Sequence, residues 1–153
     1  MASVNYDRIF SYFLGSVSDY TIPALEEEDA EAIMTEWLHK AFADPYKRRL
    51  FSSFSLDDEN QMITFEFRNK IDDEGDEEFV ALIGSKGMVI EWLNPQVKKK
   101  TLLSQMFSGK EIKWYSQAQQ LGELQALYDN TYNELRKIIR DRAYISNDYL
   151  EGR

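Results

Sequence analysis

Asp57, Asp58 and Glu66 are the residues whose types and spacing come nearest to chemistry. The two aspartates precede the run "QMITFEFR", where Glu66 falls on a strand pattern and Arg68 follows two residues later. Metal-dependent nucleases often hold Mg²⁺ with an Asp and a Glu on paired strands, and a Lys two residues past the Glu helps position the attacking water. Arg68 stands where that Lys would be, and an always-protonated guanidinium cannot act in proton transfer. His39 is the one histidine and the chain has no cysteine. A familiar zinc site needs more of either, and a Ser-His-Asp arrangement through His39 has no local signature. His39 is expected to be solvated or hydrogen-bonded on the polar side of a helix. The run "DDEGDEE" has the acid density of a calcium loop but neither its alternate-position ligands nor its terminal Glu. It reads as a solvated acidic loop, or an electrostatic docking element. Gly84, Gly87 and Gly109 fit no phosphate-binding pattern, and no RNA-binding sheet motif is present. No catalytic set, metal or cofactor is expected.

The elements that must position these residues are mostly helical. Ile9, Phe10, Phe13 and Leu14 recur on one face of a helix from Asn5 to Val17. Ala30, Ile33, Met34, Trp37, Leu38, Ala41 and Phe42 form the stripe of a second helix. Glu26 to Asp29 suit its first turn, and Asp44-Pro45 stops it. The period then changes to two: Ile63, Phe65 and Phe67 alternate with Thr64, Glu66 and Arg68. "RRLFSSFSL" is the expected antiparallel partner through "DDEN", giving a β-hairpin around 48–68. Two strands are marginal alone, so they either pack on the helices or pair with a neighbouring chain.

After the acidic loop a helix is expected from about Glu77 to Leu93, with Phe79, Leu82, Ile83, Val89, Ile90 and Leu93 inward. Gly84 and Gly87 would let another helix approach closely. Asn94-Pro95 ends it, and Pro95 opens a further short helix. Ser116 and Gln119 have capping-box spacing, placing the start of the last helix at Ser116; it runs to about Arg142. The fold class is therefore mainly α: a compact domain of four to five helices over 1–142 with a small β-hairpin insertion, and an extended C-terminal arm over 143–153.

The totals agree with one domain. The chain has 153 residues, 43% hydrophobic and 14% aromatic, with 3 Pro and 7 Gly, which is enough to bury a core and leaves no long linker. The opening "MASVNYDRIFSYFLG" lacks the long apolar core of a secretory signal, and no stretch approaches a membrane helix. A soluble protein made in the cell interior is expected. The formal charge is −9, which repels nucleic acid unless a basic face is segregated. Acid clusters lie at Glu26–Glu31, Asp57–Glu59 and Asp72–Glu78, and basic ones at Lys47–Arg49, Lys98–Lys100 and Arg136–Arg142. They read as solvated helix ends and loops, or as opposed patches that meet between subunits.

The stretches richest in large apolar, amide and Lys side chains carry no chemistry. Trp92, Trp114 and Tyr115 read either as packing residues or as interface anchors, since Trp, Tyr and Arg dominate binding hot spots. Lys110, Lys113, Gln117 and Gln120 are expected to face outward near Trp114. Lys98, Lys99 and Lys100 supply a basic segment before it. In the arm after Arg142, the residues Tyr144, Ile145, Tyr149 and Leu150 either fold back or bury against another chain.

Together, "SYFLGSVSDY", "EDAEAIMTEWLHKAF", "MVIEWLNPQVKKKTLLSQMF" and "WYSQAQQLGELQALY" resemble small virion proteins of tailed bacteriophages, the head–tail connector or neck proteins. The resemblance spans roughly residues 9 to 128 and rests on packing and interface motifs. It implies a mainly helical adaptor, made in the bacterial host cytoplasm, that assembles as a homo-oligomeric ring, commonly a dodecamer, beneath the portal protein. Such a ring extends the DNA channel without sequence-specific DNA binding and offers a docking surface to a downstream neck or tail protein. The arm from Arg142 would grip the portal. The other reading is a small soluble regulatory or assembly-chaperone protein that binds another phage component; presence in the virion separates the two.

Overall fold

The computed structural model describes residues 2–17, 27–106 and 111–145, with side chains at 27–29, 96, 98–106, 111–121 and 144–145 excepted. Among them the chain runs β1 (Ala2–Asn5), α1 (Tyr6–Ser16), α2 (Glu27–Phe42), α3 (Pro45–Arg48), β2 (Phe51–Asp57), β3 (Met62–Phe67), α4 (Asp73–Met106) and α5 (Glu111–Ile145). It is mainly α with a small antiparallel sheet of order β1-β3-β2.

β1 pairs with β3 from Ala2–Phe65 to Asn5–Met62, so the β3 edge of the expected hairpin is covered by the N-terminal residues, and β1 and β2 form the two edges of the sheet. Ala2 and Val4 are buried and their neighbours exposed, a period too short to read in advance. β2 pairs with β3 across an irregularity between Phe51 and Ser53. Ile63, Phe65 and Phe67 all point inward, as their alternation predicts. Phe42, Phe51, Phe54, Phe65, Phe67 and Phe79 then form one chain of ring contacts from α2 through the sheet to α4.

The central element is α4, against which α1, α2, α5 and β1 all pack. The expectation at Gly84 and Gly87 is met here. A Cβ on Gly84 would lie 3.0 Å from Phe42 and 3.2 Å from Ile9, and one on Gly87 only 2.6 Å from the Ala41 Cβ. Small residues on α4 admit α1 and α2 to close range. α5 runs antiparallel to α4, because Arg142 meets Asp76 and Glu134 meets Lys86. At 1.5 Å per residue each of these two helices is about 50 Å long.

Three expectations are corrected. The acidic run is not a loop: Asp72 accepts the Gly75 N–H at 2.6 Å and α4 begins at Asp73, so the acids occupy a first turn that favours negative charge. Pro95 neither ends one helix nor starts another; α4 passes through it to Met106. The Pro removes one backbone bond, but Leu93 and Val97 pack into the core on either side and hold the helical path. The last helix starts at Glu111, five residues before the expected cap at Ser116, and extends to Ile145. A capping box allows a start and does not force one. Asp44-Pro45 stops α2 as expected, and the same pair also starts α3, with Asp44 accepting the Tyr46 N–H and Pro45 in its first turn. The break expected at Ser108-Gly109 lies outside the described residues.

Candidate partner-binding surface

The three carboxylates of the nuclease pattern are turned to separate tasks. Asp57 accepts from the Asn60 backbone and amide, which closes the hairpin turn and holds its carboxyl below the usual range. Glu66 pairs with Lys70, which likewise lowers its pKa. In the β2–β3 register Asp57 lies opposite Met62 and Glu66 opposite Ser53. The two acids are thus four residues apart along the hairpin, about 13 Å at 3.3 Å per residue. Arg68 donates its Nε–H to the Arg49 carbonyl at 3.0 Å. No group of three or more metal-ligating side chains occurs among the described residues.

Asp58 is a structural hub. The buried Tyr6 hydroxyl donates to it at 2.6 Å, and His39 Nε2 lies 2.7 Å and 2.9 Å from its two oxygens. These bonds, Tyr6 first, hold the Asp58 carboxyl below its ordinary value. Burial, then the Asp58 bond, pushes the Tyr6 phenol well above its own. The group joins α1, α2 and the hairpin turn, where Gln61 takes a left-handed φ of 54° and accepts the Tyr6 N–H at 2.8 Å. His39 is therefore hydrogen-bonded and structural, as expected, and its partner is supplied from 19 residues away.

The residues proposed from sequence as partner contacts divide three ways. Lys110, Tyr149 and Leu150 lie outside the described residues. Lys98, Lys99 and Lys100 fall on α4, and Lys113, Trp114, Tyr115, Tyr144 and Ile145 on α5, all at positions whose side chains are not described. Arg142 is placed in full and is no arm residue. It is 7% exposed, its guanidinium donates to Asp76 at 2.7 Å, and it lies over the rings of Phe67 and Phe79. Trp92 is likewise interior, edge-on to Phe13.

A different surface is assembled by the fold. The basic clusters at 47–49 and 136–142, far apart in sequence, meet at Tyr46. The Arg136 guanidinium sits 3.9 Å from the Tyr46 ring centre and that of Arg49 5.5 Å. Arg136 also donates to the Tyr132 hydroxyl at 2.8 Å, and Tyr132 stacks on Tyr128 one turn back on α5. Tyr46 is 47% exposed, and Tyr132 is among the few other large exposed hydrophobics.

Beside this ridge a cleft of about 320 Å³ opens between α2, α4 and α5, with Lys40, Asp44, Lys47, Glu91, Asn94 and Arg136 among its walls. Lys47 is almost wholly buried there, donating to the Ala41 carbonyl at 2.8 Å with Asp44 at 3.6 Å. Burial pushes its ammonium pKa down, against the pull of Asp44 and Glu91. Tyr46 and Tyr132 carried no pattern of their own in the sequence. The available signal was the pair of basic clusters, which points to a shared face only once α3 and α5 are side by side.

Tyrosine rings clamped by arginines, rimmed by a cleft of mixed charge, have the composition of a protein-binding hot spot. The rings present large apolar area at low entropy cost, and the guanidiniums hold them in place. Comparison with protein-family models, with curated proteins and with solved structures finds no match to the chain.

Proposed function

We propose that this chain is a structural virion protein of a tailed bacteriophage, a head–tail connector subunit that forms a ring on the portal in the neck of the particle. The ring helps to form the DNA channel and the surface on which a downstream neck or tail protein docks, and it makes no sequence-specific contact with the DNA. It is a non-catalytic role.

The observation that carries the reading is the exposed Tyr46–Arg136–Tyr132 ridge, a surface suited to holding a protein partner. Further support comes from charge. The arginines Arg49 and Arg136 gather at Tyr46 on one ridge, a basic surface that a head-to-tail contact between identical subunits can use. The described residues of the quoted motifs fall mainly on α1, α2, α4 and α5.

The test is co-sedimentation of the purified protein with portal-bearing, tail-less phage heads. Stoichiometric binding is expected, and Tyr46→Ala combined with Arg136→Ala should reduce it at least tenfold while leaving the helical circular dichroism unchanged. Binding to neither heads nor tails would overturn the connector and favour a soluble regulatory or assembly-chaperone role. Binding unaffected by the double substitution would keep the connector and remove the ridge from its interface.

A further inference from the structure

A second hollow, of about 220 Å³, lies between the base of the hairpin and the last turns of α5, with Arg49 in its lining. Arg49, Arg68 and Arg142 line it together with the apolar Leu50 and Phe67 and with Asn69. We infer that this hollow is a socket for a single carboxylate, presented by an acidic segment of a protein partner.

The arginines are held in place by the fold. The Arg68 backbone N–H donates to the Leu50 carbonyl at 3.0 Å and its Nε–H to the Arg49 carbonyl at 3.0 Å. One of its five N–H donors is thereby engaged, and the rest of the fork is kept at the rim. The Arg49 guanidinium rests against Tyr46. Arg142 forms the inner wall and is locked by Asp76. Among the described residues no carboxylate lies within ion-pair distance of Arg49 or Arg68, so these two residues bring charge to the lining of the hollow without an internal counter-charge.

The chemistry of the occupant follows from size, shape and charge. Paired guanidinium forks match the two oxygens of a carboxylate. The apolar lining takes the methylene stem of an acidic side chain. At about 220 Å³ the space is below the range of roughly 300–1,000 Å³ typical of nucleotide- and cofactor-sized ligands. A nucleic-acid backbone would bring many charges toward a chain of net charge −9, whereas one acidic residue brings few. The inference stands apart from the connector proposal, since an acidic segment can belong to any protein partner.

The experiment is fluorescence polarisation with a labelled peptide carrying four glutamates and its all-glutamine counterpart, at low ionic strength, on the full chain. The glutamate peptide should bind and the glutamine peptide should not. Arg49→Ala with Arg68→Ala should weaken binding at least tenfold. Arg68→Lys, which keeps the charge and loses the fork, should fall between. Both side chains are exposed, and unchanged thermal unfolding would confirm that the variants fold. Equal binding of the two peptides, or undiminished binding by the double variant, overturns the socket. Displacement of the peptide by a short DNA duplex at lower concentrations than by unlabelled peptide overturns the choice of a protein partner, and the same result with inorganic phosphate overturns the carboxylate.

Discussion

Arg142 meets Asp76 at 2.7 Å between the rings of Phe67 and Phe79, whereas Lys47, more deeply buried, has its nearest carboxylate, Asp44, at 3.6 Å and leans on a backbone carbonyl. Each cation sits where two segments of the fold must be joined. Arg142 fastens the end of α5 to the start of α4, and Asp76 lies in the first turn of α4, where the helix dipole also favours its charge. Lys47 fastens α3 to the end of α2 beneath the ridge. The difference lies in how each charge is neutralised. A guanidinium keeps its proton under all ordinary conditions and needs a full partner, which Arg142 has. An ammonium can yield its proton, and burial pushes Lys47 toward doing so. One clamp is permanent and the other is responsive to pH; the responsive one lines the cleft beside the tyrosine ridge, and the permanent one lines the arginine hollow.

The sharpest way to break this comparison is to remove one partner of the permanent clamp. Arg142→Ala leaves Asp76, 2% exposed, as an uncompensated buried charge. The expected loss is about 3–5 kcal/mol in urea unfolding. The double change Arg142→Met with Asp76→Leu should recover most of that, because an apolar pair of similar volume carries no stranded charge. A loss below about 1 kcal/mol for the single variant would mean that Asp76 is well solvated and the clamp is weak.

The second test acts on the space around Lys47. Gly87 leaves room for both Ala41 and the Lys47 ammonium: an added Cβ would lie 2.6 Å from the Ala41 Cβ and 3.1 Å from Nζ. Gly122, exposed on α5, has nothing within 4 Å of the same position. Gly87→Ala should therefore cost about 1–3 kcal/mol through overpacking, while Gly122→Ala should gain up to about 1 kcal/mol from helix propensity. Thermal unfolding of the two variants side by side checks both signs. A stabilising Gly87→Ala would show that α2 and α4 can separate without loss, and the close approach would no longer explain the burial of Lys47.

How much of this was legible in the sequence depends on the range of the interaction. The stripe from Ala30 to Phe42 and the inward Ile63, Phe65 and Phe67 are local periodicities, and they were readable. The close approach at Gly84 and Gly87 was readable because small residues in an apolar helix face have few other uses. The start of α4 was readable in principle: acids favoured at the head of α2 for their dipole complementarity are favoured at Asp73 to Asp76 for the same reason. β1 was hidden because four residues carry too little period, and its pairing with β3 spans about 60 positions. The helix through Pro95 was hidden because a local preference was outweighed by packing on both sides. The ridge was hidden most fully, since Tyr46 and Arg136 are brought together only by the tertiary fold.

The smallest expected effect is the most specific to the responsive clamp. Because the Lys47 pKa is lowered in the folded chain, there is a window between that value and the ordinary Lys value of about 10.4 in which the unfolded chain holds a proton that the folded chain lacks. In that window stability rises with pH. Below it both states are protonated and the buried ammonium is a constant cost. Asp44 and Glu91 favour the charge and Arg136 opposes it, so the window closes toward 10.4 if the carboxylates dominate and widens if burial does. Tyr6 acts in the opposite sense: its pKa is raised in the folded chain, so stability falls once the unfolded phenol ionises near pH 10. Urea unfolding of the native protein and of Lys47→Met, compared from pH 7 to 9.5, avoids that overlap, and the difference cancels all groups but Lys47 and those coupled to it. Lys47→Met should be as stable as the native protein or up to about 1 kcal/mol more stable at pH 7, since an apolar chain of similar length replaces a poorly paired charge. Its advantage should shrink as pH rises and the native Lys sheds its proton. An advantage that stays flat from pH 7 to 9.5 would mean that native Lys47 keeps its proton throughout that range, and the clamp would not be responsive there.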